Sequence, residues 1–129
     1  MRKEFRAACR KAGGEGIVLL KNDSRALPLK KGTKVSVFGR IQSHYIKSGT
    51  GSGGLVNVSY VVGIPEGLAS AGLILNEQLQ ETYRQWEQEH PFDVGGGWAK
   101  EPWAQVEMPL SDEVVKQAAN ASDAAIVII

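Results

Sequence analysis

Lys34-Val35-Ser36-Val37-Phe38-Gly39 is the stretch on which the fold turns. It is β-branched, aromatic and nearly all apolar, is entered through Lys31-Gly32-Thr33 and is closed by glycine, so it reads as a strand. The apolar residues run together instead of alternating with polar ones, which is the pattern of a strand covered on both faces, as in a parallel sheet flanked by helices. Upstream, Ile17 to Leu20 forms another short apolar run, closed by Lys21-Asn22-Asp23-Ser24, and reads as a second strand. Before it, Phe5, Ala8, Cys9 and Ala12 recur at three- and four-residue spacing, predicting a helix that ends at Gly13-Gly14 and buries Cys9 as a small apolar residue.

Downstream, Arg40 to Gly54 is an irregular stretch with a glycine-rich second half, and Leu55 to Val62 has extended character. Pro65 to Ala69 suggests a short helix that Gly72 ends. Asn76 caps the next helix, whose Leu79, Tyr83 and Trp86 follow the i, i+4, i+7 stripe until His90-Pro91 stops it. Phe92 to Pro109, with Gly95-Gly96-Gly97, Trp98 and Trp103, has no periodicity and reads as a long surface loop. Ser111 then caps a helix with Asp112 and Glu113 in its first turn and Val114, Val115 and Ala118 inward, before the strand Ala124 to Ile129. Strand and helix alternate, so residues 1–129 read as one α/β unit, a three-layer α/β/α sandwich with a mainly parallel sheet. A last strand without a following turn or helix gives the expectation of a truncated fragment, with an open sheet edge that leaves room for a homo-oligomer.

With 15 basic and 14 acidic residues, the net charge of +1 supplies no field that would gather nucleic acid or an anionic membrane. The single cysteine excludes an internal disulfide. The first residues do not form a signal peptide, and no stretch approaches about 18 consecutive apolar residues, so a cytoplasmic location is the expectation. On the same ground the sequons Asn57-Val58-Ser59 and Asn120-Ala121-Ser122 carry no consequence. The carboxylates Glu15, Glu66, Glu77, Glu81, Glu87 and Glu89 lie on or beside helices and read as solvated faces. No cofactor, metal or catalytic residue is expected within the chain.

Gly49-Thr50-Gly51-Ser52-Gly53-Gly54 satisfies the dinucleotide pattern G-x-G-x-x-G literally. The pattern needs its glycines directly between a strand and a helix, whereas here the glycines stand well beyond Phe38 and an extended segment follows. Lys47-Ser48 lacks the earlier glycines of a phosphate-binding loop. A flexible connector remains an alternative for this segment, and a non-catalytic sugar- or partner-binding module remains one for the whole chain.

The order Glu15-Gly16-Ile17-Val18-Leu19-Leu20-Lys21-Asn22, Leu27-Pro28-Leu29, Lys34 to Gly39, then a Gly-Ser-Gly loop, resembles glycoside hydrolase family 3 of the β-glucosidase kind. Gly67-Leu68 resembles the family's following helix, and Ala125 to Ile129 the strand before its Gly-Glu loop. The resemblance implies hydrolysis of β-linked glucosides or oligosaccharides with retention. The aspartate nucleophile would come from a separate (β/α)8 barrel and the glutamate acid/base from a loop just past that strand. Retention places the two carboxylates about 5 to 5.5 Å apart, so barrel and sandwich meet at the active site. No residue here inherits a catalytic role, and the missing barrel is an expected partner. By the same resemblance Thr50, Gly51, Ser52, Gly53 and Gly54 line the sugar pocket, where glycines allow close approach and the hydroxyls hydrogen-bond sugar. Arg40, His44 and Tyr45 are weaker candidates, read equally well as an exposed polar loop. Trp98 and Trp103 are read as anchors of their own loop rather than sugar platforms.

Overall fold

The computed structural model describes residues 3–45, 58–96, 100, 102 and 104–129. Its centre is strand β1 (Lys34–Phe38), in which Val35, Ser36 and Val37 are all buried, as the unbroken apolar run requires. Burying Val35 and Val37 contributes roughly 1.5–3 kcal/mol each. Ser36 is the one polar member of the run, and it is buried because its hydroxyl is fully engaged. It donates to the Ala118 carbonyl (3.3 Å), accepts from Asn76 Nδ2 (2.9 Å) and shares a hydrogen bond with Ser122 Oγ (2.7 Å).

Both neighbours of β1 run parallel to it. β2 (Ile74–Leu75) pairs on one side through Lys34↔Ile74 and Val35↔Leu75, and β3 (Ala124–Val127) on the other, from Val35↔Ala124 to Phe38↔Val127. The Lys34 amide donates to Asp123 Oδ2 at 2.9 Å, which fixes where the β1/β3 ladder starts. The order β2-β1-β3 makes β1 the middle strand, left toward one side first and passed toward the other later. The α/β class and the parallel sheet thus stand as the sequence predicts.

Helix α1 (Lys3–Glu15) precedes the sheet, α2 (Ile64–Ser70) joins β1 to β2, and α3 (Glu77–Glu89) and α4 (Asp112–Ala121) lie between β2 and β3. Pro65 occupies the first turn of α2, where its missing N–H costs nothing. Gly72, at φ +89°, reverses the chain after α2. Asn76 and Ser111 cap α3 and α4, their side chains accepting from the amides of Leu79 and Val114. The core gathers Leu79, Tyr83, Met108 and Ala118, with Phe38, Trp86 and Val114 packed around them.

Several expectations are corrected. Ile17 to Leu20 is not a strand: it joins no ladder, and its side chains are 57–92% exposed. A strand needs a neighbour for its backbone groups, and among the described residues this run has none. Helix α1 runs through Gly13-Gly14 to Glu15 and buries no residue, so Cys9 is exposed, not buried. Val115, expected inward, is 43% exposed because α4 turns Val114 and Ala118 to the core instead. Strand β2 was not expected, since two residues between a glycine stop and a helix cap leave no periodicity to read.

Candidate functional site

Ligands of open parallel sheets bind outside the carboxyl ends of the strands, at the point where successive connections leave in opposite directions. Here that point lies between β1 and β3. The two strand ends converge through Gly39, whose backbone sits at φ +104° directly against Ile128. The Ile128 amide donates to the Phe38 carbonyl at 3.0 Å, and the Gly39 amide to the Tyr83 hydroxyl at 2.9 Å. Tyr83 thereby ties α3 to the end of β1.

Burial pushes the Tyr83 phenol above its ordinary value of 10.0; the hydrogen bond from Gly39 works against this, and the charges of Glu107 and Glu87 reinforce it. Replacing Tyr83 with phenylalanine leaves the buried Gly39 N–H without its acceptor, and should cost about 1–3 kcal/mol in a denaturant titration. Above the ordinary tyrosine range the folded chain holds the Tyr83 proton longer than the unfolded one. Stability therefore falls as pH rises through that range, and Tyr83→Phe should lack this part of the alkaline loss.

After Gly39 the chain makes a 3₁₀ turn, Arg40–Gln42. Arg40 is only 3% exposed. Its guanidinium donates to the carbonyls of Val106 (2.8 Å) and His90 (2.7 Å) and lies over the rings of Trp86 and Phe92, at 4.9 and 5.7 Å from their centroids. Its amide donates to Glu107 Oε2, while Glu107 Oε1 accepts from the Met108 amide, so this carboxylate is committed to backbone. The segment after α3 is thereby fastened to the strand edge. Its two limbs also join each other, Asp93 and Gln105 exchanging hydrogen bonds of 2.9 and 2.8 Å. Phe92 to Pro109 is therefore, in its described residues, held against the end of β1 and against itself.

Of the sequence candidates, Arg40 is a buried clamp, His44 stacks on Phe92 at 4.6 Å between ring centroids, and Tyr45 stands half-exposed at the start of the glycine segment. Thr50, Gly51, Ser52, Gly53 and Gly54 lie outside the described residues, as do Trp98 and Trp103. Sequence reasoning missed Gln42, buried with its Nε2 donating to the Val37 carbonyl, and Glu107. It also placed Glu87 on a solvated face, whereas the Glu87 side chain is 14% exposed and 3.9 Å from His44. The available signal was its position four residues after Tyr83, beside the apolar stripe rather than opposite it.

Among the described residues no three His, Cys, Asp or Glu side chains are grouped to hold a metal ion, and no helix is long and apolar enough to cross a membrane. The polar side chains at this edge, Arg40, Gln42, Tyr83 and Glu107, are engaged in contacts within the chain and hold the strand end in place.

Comparison with known proteins places this geometry. Residues 17–129 match the family model described as the glycosyl hydrolase family 3 C-terminal domain. A β-glucosidase of Ruminococcus albus is 52% identical over 126 residues, covering 98% of this chain and 13% of that protein. β-Glucosidase A of Butyrivibrio fibrisolvens is 33% identical, with 98% and 15% covered. Among solved structures, a β-glucosidase of Paenibacillus barengoltzii superposes with a TM-score of 0.90 at 55% identity, over 99% of this chain and 14% of that one. β-Glucosidase 3B of Thermotoga neapolitana in complex with glucose gives a TM-score of 0.81 at 31% identity, over 98% and 18%. The chain thus spans 13–18% of the lengths of these relatives. An α/β sheet whose β1 and β3 ends converge on Gly39, read with these matches, establishes that the chain belongs to glycosyl hydrolase family 3, within the family's C-terminal domain.

Proposed function

We propose that this chain is part of a retaining β-glucosidase-type enzyme, in which it helps to line the sugar pocket while the catalytic carboxylates lie elsewhere in the parent protein. The observation that carries this reading is the convergence of β1 and β3 at the switch point. The chain leaves β1 through Gly39 and Arg40, and β3 ends beside Gly39. The carboxyl ends of strands that flank a switch point are where an α/β domain contacts a ligand.

The substrate is a β-linked glucoside or short oligosaccharide, and the partner is a barrel domain of the same parent that supplies the nucleophile. The exposure of Phe5 and of Ile17 to Leu20 supports such a partner, because four adjacent apolar side chains are seldom left facing water. Retention through a covalent intermediate has a direct readout. When the parent enzyme hydrolyses an aryl β-glucoside, proton NMR should show β-glucose as the first product, with the α anomer growing in only by mutarotation. Initial release of α-glucose would contradict the two-step mechanism.

A further inference from the structure

Residues 3–28 are exposed without exception, a run that takes in all of α1 and the apolar stretch Ile17 to Leu20. Yet α1 has the pattern of a packing helix, with Phe5, Ala8, Cys9 and Ala12 at i, i+3, i+4 and i+7 along one face. A helix of 13 residues is marginal in water on its own, and Gly13 and Gly14 weaken its last turns further. Such a helix is held by tertiary packing of its apolar face, and α1 buries no residue against the sandwich. The apolar surface continues past the helix end, where Gly16 donates to the Ala12 carbonyl at 3.0 Å and the chain passes straight into Ile17 to Leu20. Among the described residues, Val18, Leu19 and Leu20 have no backbone hydrogen bond to hold them to the sheet.

The position of α1 and its charges indicate what covers this surface. The family match begins at residue 17, so α1 stands outside the family's C-terminal domain. More than four fifths of each relative's length lies beyond the matched part, ample chain to supply a cover. On one flank of the stripe stand Arg6 and Arg10, one turn apart and without an ion pair among the described residues. Lys11, toward the other flank, is paired with Glu15 at 3.7 Å. A complementary surface is therefore apolar at its centre and acidic at one rim. A second copy of the chain would present the same unpaired arginines instead of acidic groups, which disfavours it.

We propose that α1 and Ile17 to Leu20 form one docking surface, covered in the full-length protein by an apolar, acid-rimmed groove of the parent outside residues 1–129. From the glycosidase reading it takes only that the parent has a further domain. Cys9 lies in the middle of the stripe and reports on the cover. Its alkylation by N-ethylmaleimide should be followed by mass spectrometry in the native full-length parent, with the same protein in denaturing urea as reference. Cys9 should react about a hundredfold more slowly in the native protein, because it is reached only when the docked segment opens. Phe5→Asp, at a position that contributes nothing to the buried core, should speed the native reaction about tenfold. A native rate within about threefold of the denatured one overturns the proposal, as does an unchanged rate in Phe5→Asp. Protection that disappears on dilution also overturns it, since the cover would then be a second copy. Turnover of an aryl β-glucoside by the same sample separates the two readings. An active parent with a reactive Cys9 overturns the docking surface alone, and an inactive parent with a protected Cys9 overturns the glycosidase reading alone.

Discussion

Gly39→Ala is expected to destabilise the chain by about 3 kcal/mol or more, the combined effect of a strained backbone and overpacking. The residue holds φ +104° and ψ 123°, a region that side chains other than glycine rarely adopt. A Cβ there would overlap the Ile128 carbonyl oxygen and come within 3.3 Å of the Ile128 Cβ. These are backbone and near-backbone atoms, so no flexible side chain can yield. Relief would require β1 and β3 to separate where the Ile128 amide bonds the Phe38 carbonyl. A denaturant titration should show the loss, and the parent enzyme should lose most of its activity because the crevice opens at this point. A variant within about 1 kcal/mol of the original would show that the strand ends do not approach as closely as described.

Arg40→Met should have the next largest effect, about 2–4 kcal/mol, because it strands two carbonyls and removes a desolvated cation–π contact. Methionine keeps much of the stem, so the loss reports on the guanidinium rather than on packing. Lysine should not restore stability, since a single ammonium cannot reach the carbonyls of Val106 and His90 with the planar fork that arginine presents. The effect should also be local. Hydrogen exchange should accelerate first in residues 91–96 and 104–108, which Arg40 fastens to the strand edge, and only later in β1 and α4. Uniform acceleration would mean that Arg40 supports the whole core instead.

These two neighbours show what the sequence made legible. Gly39 was readable as the end of a strand, because Val35, Val37 and Phe38 announce β1 by composition alone. Its positive φ and contact with Ile128 were not, since both depend on a residue far along the chain. Arg40 looked like a loop residue with equal claims on sugar and solvent. Its burial follows from Trp86, His90, Phe92 and Val106, which α3 and the following segment bring around it. Helices α3 and α4 were legible because Asn76 and Ser111 are caps and Leu79, Tyr83 and Ala118 keep helical spacing. Ile17 to Leu20 misled because an apolar run states only that it avoids water, not whether it does so in a sheet or against another surface. Glu87 misled for the related reason that a carboxylate on a helix is usually solvated, and only its place beside Tyr83 says otherwise.

We have proposed that this chain helps to line a sugar pocket whose reacting carboxylates lie outside it. The most direct test is turnover of an aryl β-glucoside by the purified chain and by the full-length parent at equal concentration. The parent should release the phenol steadily and the chain should release none above the buffer rate. Sustained turnover by the purified chain, lost when a residue of this chain is replaced, would place the reacting carboxylates within it and overturn the proposal.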